Sequence, residues 1–191
     1  MAVLVIGLIL FLGPHSLGLI APTWREGTRA RIGEGAYKAA HSIVSLIGIV
    51  LLVWGFALAS ANPSVLYSPA PGLHFVPETL MLVALVLFLA SLLPAGHVKR
   101  FVGHPLLIAT VLWSASHLFV NGDSAGVVLF AAFLVWAAVS LLAVWRRPQP
   151  ALRASPAAVR SDIIAIVAGV GLYAALVWKA HVWLFGVSPM H

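Results

Sequence analysis

The stretch Ala39-Ala40-His41-Ser42-Ile43-Val44-Ser45-Leu46-Ile47-Gly48-Ile49-Val50-Leu51-Leu52-Val53-Trp54-Gly55-Phe56-Ala57-Leu58-Ala59-Ser60-Ala61 contains no charged side chain. It is apolar on every face, with none of the polar–apolar alternation that a membrane strand shows. Its length satisfies the roughly 20 residues a helix needs to cross hydrocarbon. Five further apolar runs flank it, at 2–21, 79–95, 105–121, 124–145 and 163–185, the last carrying Lys179 out to the interface. Backbone groups in lipid must be paired within the chain. The expected fold is therefore an all-α integral membrane protein, a six-transmembrane-helix bundle forming a single domain over 1–191.

Composition agrees. Of 191 residues, 62% are hydrophobic and 8% charged, against about 25% charged in soluble domains; mean hydropathy is +1.06. Five acids and eleven bases cannot build a water-facing surface around a domain of this size. This excludes an ordinary cytoplasmic enzyme, a nucleic-acid-binding module and a disordered tail. The first segment lacks the basic n-region of a signal peptide and reads as a retained span. Cysteine is absent, so disulfides, thiolate ligation and cysteine nucleophiles are excluded and the redox compartment stays open.

The net charge of +6 reports orientation rather than a nucleic-acid partner. Arg25, Arg29, Arg31 and Lys38 lie between spans 1 and 2, Lys99 and Arg100 between 3 and 4, and Arg146, Arg147, Arg153 and Arg160 between 5 and 6. Only Lys179 falls on the other side. The positive-inside rule then puts these loops in the cytoplasm and both termini on the periplasmic side. The outer loop 62–77 is proline-rich and uncharged and reads as lying on the bundle or in the headgroups. The inner stretch 147–156 reads as a linker.

No acid or base occupies the centre of a span, which argues against a proton pump or an ion-coupled transporter built on intramembrane carboxylates. Asp123 and Asp162 sit at helix edges, and no Ser-His-Asp grouping emerges. What remains is histidine: His15, His41, His104 and His117. His74, His97, His181 and His191 fall in loops or at ends. His117 lies on a stripe with Thr110, Trp113, Ser114 and Asn121. His15 follows Gly13-Pro14, where the helix loses a backbone donor. His41 heads a small-residue face, His41, Ser45, Gly48, Leu52 and Gly55, that lets another helix or a flat ligand approach closely.

Plainer roles stand beside these. A membrane histidine can simply bond a carbonyl, small residues can simply pack, and His104 before Pro105 can simply begin a helix. Several interior histidines without carboxylates nonetheless favour a cofactor, since neutral imidazole is a common haem ligand. The 13-residue separation of His104 and His117 has no counterpart on a second helix, which argues against a pair of stacked haems.

Phe11–Leu17 (F-L-G-P-H-S-L), Arg31–Lys38 (R-I-G-E-G-A-Y-K), Ser42–Gly48, Arg100–Leu107 (R-F-V-G-H-P-L-L) and Leu112–Gly122 (L-W-S-A-S-H-L-F-V-N-G) resemble the NnrU family. The resemblance runs to about Trp145. It implies a bacterial inner-membrane protein linked to nitrite and nitric oxide metabolism, with a nitrogen-oxide respiratory partner. It also implies kinship with the plant zeta-carotene cis–trans isomerase, a haem b enzyme. By that resemblance His15 and His117 are the axial haem ligands, His104 matches a further family histidine, and His41 departs from an aromatic position. Ser114 stands where the isomerase has a thiol, so the resemblance does not extend to thiolate ligand exchange there. Cofactor-site candidates are thus His15, His117, His41, His104, Ser114 and Asn121, with haem b as cofactor and His15 and His117 on the metal.

Depth gives a different order. His15 lies roughly 9 Å from the end of its span, and His117 roughly 20 Å from His104, at 1.5 Å per residue. Depth therefore favours His15 with His41, although pairing across a dimer would relax this. Three readings stay open: a haem protein of nitrogen-oxide respiration, a haem-dependent isomerase of a polyene lipid, and a cofactor-free scaffold or transporter.

Overall fold

A computed structural model describes residues 1–69, 75–145, 152 and 156–189. Helices account for the architecture: α1 (Ala2–Ile20), α2 (Pro22–Ile32), α3 (Glu34–Ser60), α4 (Phe75–Leu92), α5 (His97–Val102), α6 (Pro105–Val120), α7 (Ser124–Trp145) and α8 (Val159–Ala175). A π-helical turn, Leu176–Ala180, continues α8 into α9 (His181–Phe185). Five of these segments are long and apolar enough to cross a membrane: α1, α3, α4, α7 and the continuous run Val159–Phe185. Pro105–Val120 is a shorter apolar helix. The ends differ from the sequence boundaries by a few residues. The basic segment after α1, read as a loop, is helical as α2; the arginines 146, 147 and 153 and most of the 147–156 linker lie outside the described residues, as do 70–74 of the outer loop.

The chain divides into two compact units, residues 1–68 with 121–136, and residues 69–120 with 137–191. In the first, α1 and α3 run antiparallel with their backbones touching. Gly7 meets the Leu52 backbone and Gly55 that of Leu4. A Cβ on Gly48 would lie 2.6 Å from the Phe11 nitrogen. In lipid, where apolar surface gains nothing by leaving the solvent, such close backbone approach is what holds two helices together. The small-residue face of α3 is therefore covered by a helix, not open to a flat ligand. α2 packs against both α1 and α3 at their basic end.

The outer segment of the first unit is pinned by backbone pairing. Val65 bridges Asp123, and Leu66 N–H donates to the Gly122 carbonyl at 2.8 Å. Asp123 Oδ1 accepts from the Ala125 and Gly126 amides and so caps α7. Tyr67 Oη donates to the Asn121 carbonyl at 2.9 Å; burial and the Asp123 carboxylate push its hydroxyl above the usual tyrosine range, which keeps it a donor.

In the second unit α4 is central, with α6 and α8 against it. Ser161, Ala165 and Gly169 form a buried small-residue row on α8, and a Cβ on Gly169 would lie 2.8 Å from Val86 Cα. Ser116, fully buried, donates across to the Pro77 carbonyl at 2.9 Å. Asp162 reaches from α8 to the first amides of α5, and Lys99 on α5 donates to the Ser91 and Leu93 carbonyls at the end of α4.

Candidate functional site

In the first unit the α1–α3 contact changes character one turn along α1 from the Phe11 backbone that meets Gly48. Proline at position 14 withdraws one helical donor, and the next two side chains turn back onto their own helix: His15 Nδ1 bonds the Phe11 carbonyl at 2.6 Å and Ser16 Oγ the Leu12 carbonyl at 2.7 Å. Facing His15 across the helix pair is His41, ring centroids 4.9 Å apart and edge-on. Phe11 and Trp136 complete the surround of His15, and Trp136 Nε1 donates to Ser16 Oγ at 3.0 Å. His41 reaches the Pro14 carbonyl and lies within electrostatic range of Arg25. His15 is exposed and His41 half-buried.

Tyr37, one turn before His41 on α3, packs against its ring, and the Arg25 guanidinium sits 6.0 Å above the Tyr37 ring. Among the described residues, the Tyr37 hydroxyl and Ser45 Oγ are the buried side-chain polar atoms left without a hydrogen-bond partner. Tyr37, His41 and Ser45 are four residues apart on one face, so both orphans flank the same histidine. Reading the sequence for histidines and small residues passed over Arg25 and Tyr37. The four-residue spacing of Tyr37, His41 and Ser45 was the available signal.

The remaining candidates stand on or beside α6. His117 Nδ1 bonds the Trp113 carbonyl at 2.9 Å, the arrangement of His15 repeated. Ser114 is fully buried and donates to Thr110 O at 2.7 Å, and Thr110 donates to Leu106 O at 2.9 Å. The hydroxyls of the predicted polar stripe are thus bonded along their own helix. His181, past the π turn, is an ionisable neighbour of His117. His104 accepts the Ile108 amide through its carbonyl at 3.2 Å and so begins α6, with Pro105 in the first helical position that proline favours. Asn121 belongs to the first unit and presents its carbonyl to Tyr67. His15 and His41 are therefore brought together; His117, Ser114 and His104 belong to the second unit.

An imidazole whose Nδ1 is held by a carbonyl offers Nε2 as a ligand of fixed orientation. His15 and His117 each meet that condition. The His15–His41 pair as placed does not hold an iron between its rings. Metal–imidazole bonds of about 2.0 Å would set the centroids about 6 Å apart, and these two rings are already in edge contact. Among the described residues no three histidines, aspartates or glutamates gather into a metal centre, but a haem iron asks the protein for only one or two axial ligands.

Apolar helices of spanning length, packed through glycine and carrying histidines in place of charges, define a multi-pass α-helical membrane protein. The family profile described as NnrU protein matches residues 3–189, and the chain belongs to the NnrU family. Among curated proteins and among solved structures, none matches it.

Proposed function

We propose that this NnrU-family protein crosses the bacterial inner membrane six times, with both termini outward. We further propose that it binds haem b through His15 and His117 in support of nitrite and nitric oxide metabolism. The observation that carries the haem reading is the shared geometry of those two histidines: on apolar helices, each ring is oriented by the carbonyl four residues back. Haem b held there would supply a reversible one-electron couple within the membrane. The chain's own part is to fix the two ring orientations and surround them with apolar and aromatic side chains. For the sixth span, Pro105–Val120 would extend about 24 Å at 1.5 Å per residue, short of the roughly 30 Å core but within the range that local bilayer thinning accommodates.

The test is the absorption spectrum of the purified protein, oxidised and reduced. A split b-type band is expected, lost in His15→Ala and in His117→Ala. A protein still colourless after reconstitution with haem would sink the reading and leave a cofactor-free scaffold or transporter. Loss in His41→Ala with retention in His117→Ala would replace the second ligand by His41 and require the rings of that pair to open. Reductant-dependent isomerisation of a supplied polyene would move the function to a haem-dependent isomerase.

A further inference from the structure

We propose that Arg25 and Tyr37 form a phosphate-oxyanion site at the basic end of the α1–α3 pair. Three observations converge on it. Tyr37 is 9% exposed, yet its hydroxyl has no partner among the described residues; a buried donor of this kind is costly unless something accepts from it. Arg25 lies over the same ring and makes no ion pair among the described residues. The acid nearest in sequence on α3, Glu34, is taken by Arg29 at 3.3 Å and Lys38 at 2.7 Å, and Glu26, next to Arg25 on α2, is exposed and enters no described ion pair.

The group is therefore rich in donors and lacks a carboxylate. The Arg25 guanidinium presents a planar fork suited to phosphate, with the Tyr37 hydroxyl beside it, while His41, its ring bonded to the Pro14 carbonyl, packs against Tyr37. Its position fits the same chemistry. α2 is polar and carries Arg25, Arg29 and Arg31, so it belongs at the headgroup level, where phosphates concentrate. Below it, exposed Ile43, Leu46 and Val50 on α3 offer an apolar surface to an acyl chain. The phosphate could come from an anionic lipid headgroup or from free inorganic phosphate, and the two are separable by experiment. The inference does not depend on haem.

The full chain is incubated in mild detergent with equal phosphatidylglycerol and phosphatidylcholine, and retained lipid is counted by native mass spectrometry. The expected preference for phosphatidylglycerol is about tenfold, the size that one good charge-assisted contact supplies. Arg25→Gln abolishes it. Tyr37→Phe lowers it severalfold without lowering the thermal midpoint, because the hydroxyl has no partner among the described residues to lose. Arg31→Gln, equal in charge change, leaves it intact. Displacement of the lipid by millimolar inorganic phosphate assigns the site to the free anion, and resistance assigns it to the headgroup. An unselective parent protein overturns the proposal, as does an Arg31→Gln loss equal to that of Arg25→Gln or an unchanged Tyr37→Phe.

Discussion

Gly48→Leu is expected to push α1 away from α3 and strongly destabilise the first unit in detergent. The reason is geometric. The first carbon added at position 48 would lie 2.6 Å from the Phe11 nitrogen, 2.8 Å from the Leu10 carbonyl carbon and 3.0 Å from Phe11 Cα. These are backbone atoms of a helix and cannot turn aside as a side chain could. Overpacking a core costs typically about 1–3 kcal/mol, occasionally more, when side chains can adjust; here the whole helix must move, so the upper end applies. That is a large share of a total stability of about 5–15 kcal/mol. Gly13→Ala on the same α1 is the matched control, since nothing lies within 4 Å of its would-be Cβ. Alanine there should be neutral or gain up to about 1 kcal/mol of helix propensity. The thermal midpoint and tryptic cleavage at Arg25, Arg29 and Arg31 report the outcome. A Gly48→Leu protein as stable and as resistant as its parent would remove the α1–α3 contact from the fold.

That contact was half legible in the sequence. The row Ser45, Gly48, Leu52, Gly55 announces a face that something approaches closely, because small residues recurring in one span have few other uses. What approaches was not legible: Gly7 and Leu4 on α1 look like any other apolar positions until the antiparallel pairing sets them opposite Leu52 and Gly55. The apolar runs were read correctly as helices, five of them of spanning length, since uncharged apolar length is a one-dimensional signal. α2 was missed because a short polar helix at an interface shows no apolar period; it is held by its neighbours. Ser116 and Asp162 were missed for a related reason, as their partners, Pro77 and the α5 amides, are 39 and about 65 residues away and no local pattern encodes them. In the candidate site, the residue types were legible and their grouping was not. Histidines 15 and 41 meet because two helices touch, and Arg25 joins them only because the segment after α1 folds into α2.

Asp162→Ala is expected to release α5 and lower the thermal midpoint by about 5 °C, from a loss of about 2 kcal/mol in a chain of this size. α5 begins at His97 after Gly96, and no side chain of its own caps it. Asp162 does so from α8: its carboxylate accepts from the His97 amide at 2.7 Å, the Val98 amide at 3.1 Å and His97 Nδ1 at 3.0 Å. The carboxylate is only 14% exposed, so water does not easily replace those bonds, and charge-assisted bonds of this kind are the stronger class. The other end of α5 is tied by Lys99, whose ammonium donates to Ser91 O at 2.8 Å and Leu93 O at 2.9 Å. α5 thus clasps the end of α4 to the start of α8, and freeing one end should expose Lys99 and Arg100 to trypsin. Gly96 makes a sharper test available. A Cβ there would run into the Asp162 carboxylate, so Gly96→Ala disturbs the same cap from the opposite side. If both changes act through that cap, the double variant costs little more than the worse single one, the non-additivity expected of residues sharing one interaction. Asp162→Asn, which keeps an acceptor oxygen but loses the charge, should fall between parent and alanine variant. Additive losses in the double variant, or unchanged cleavage at Lys99 in Asp162→Ala, would show that α5 is held by something other than this carboxylate.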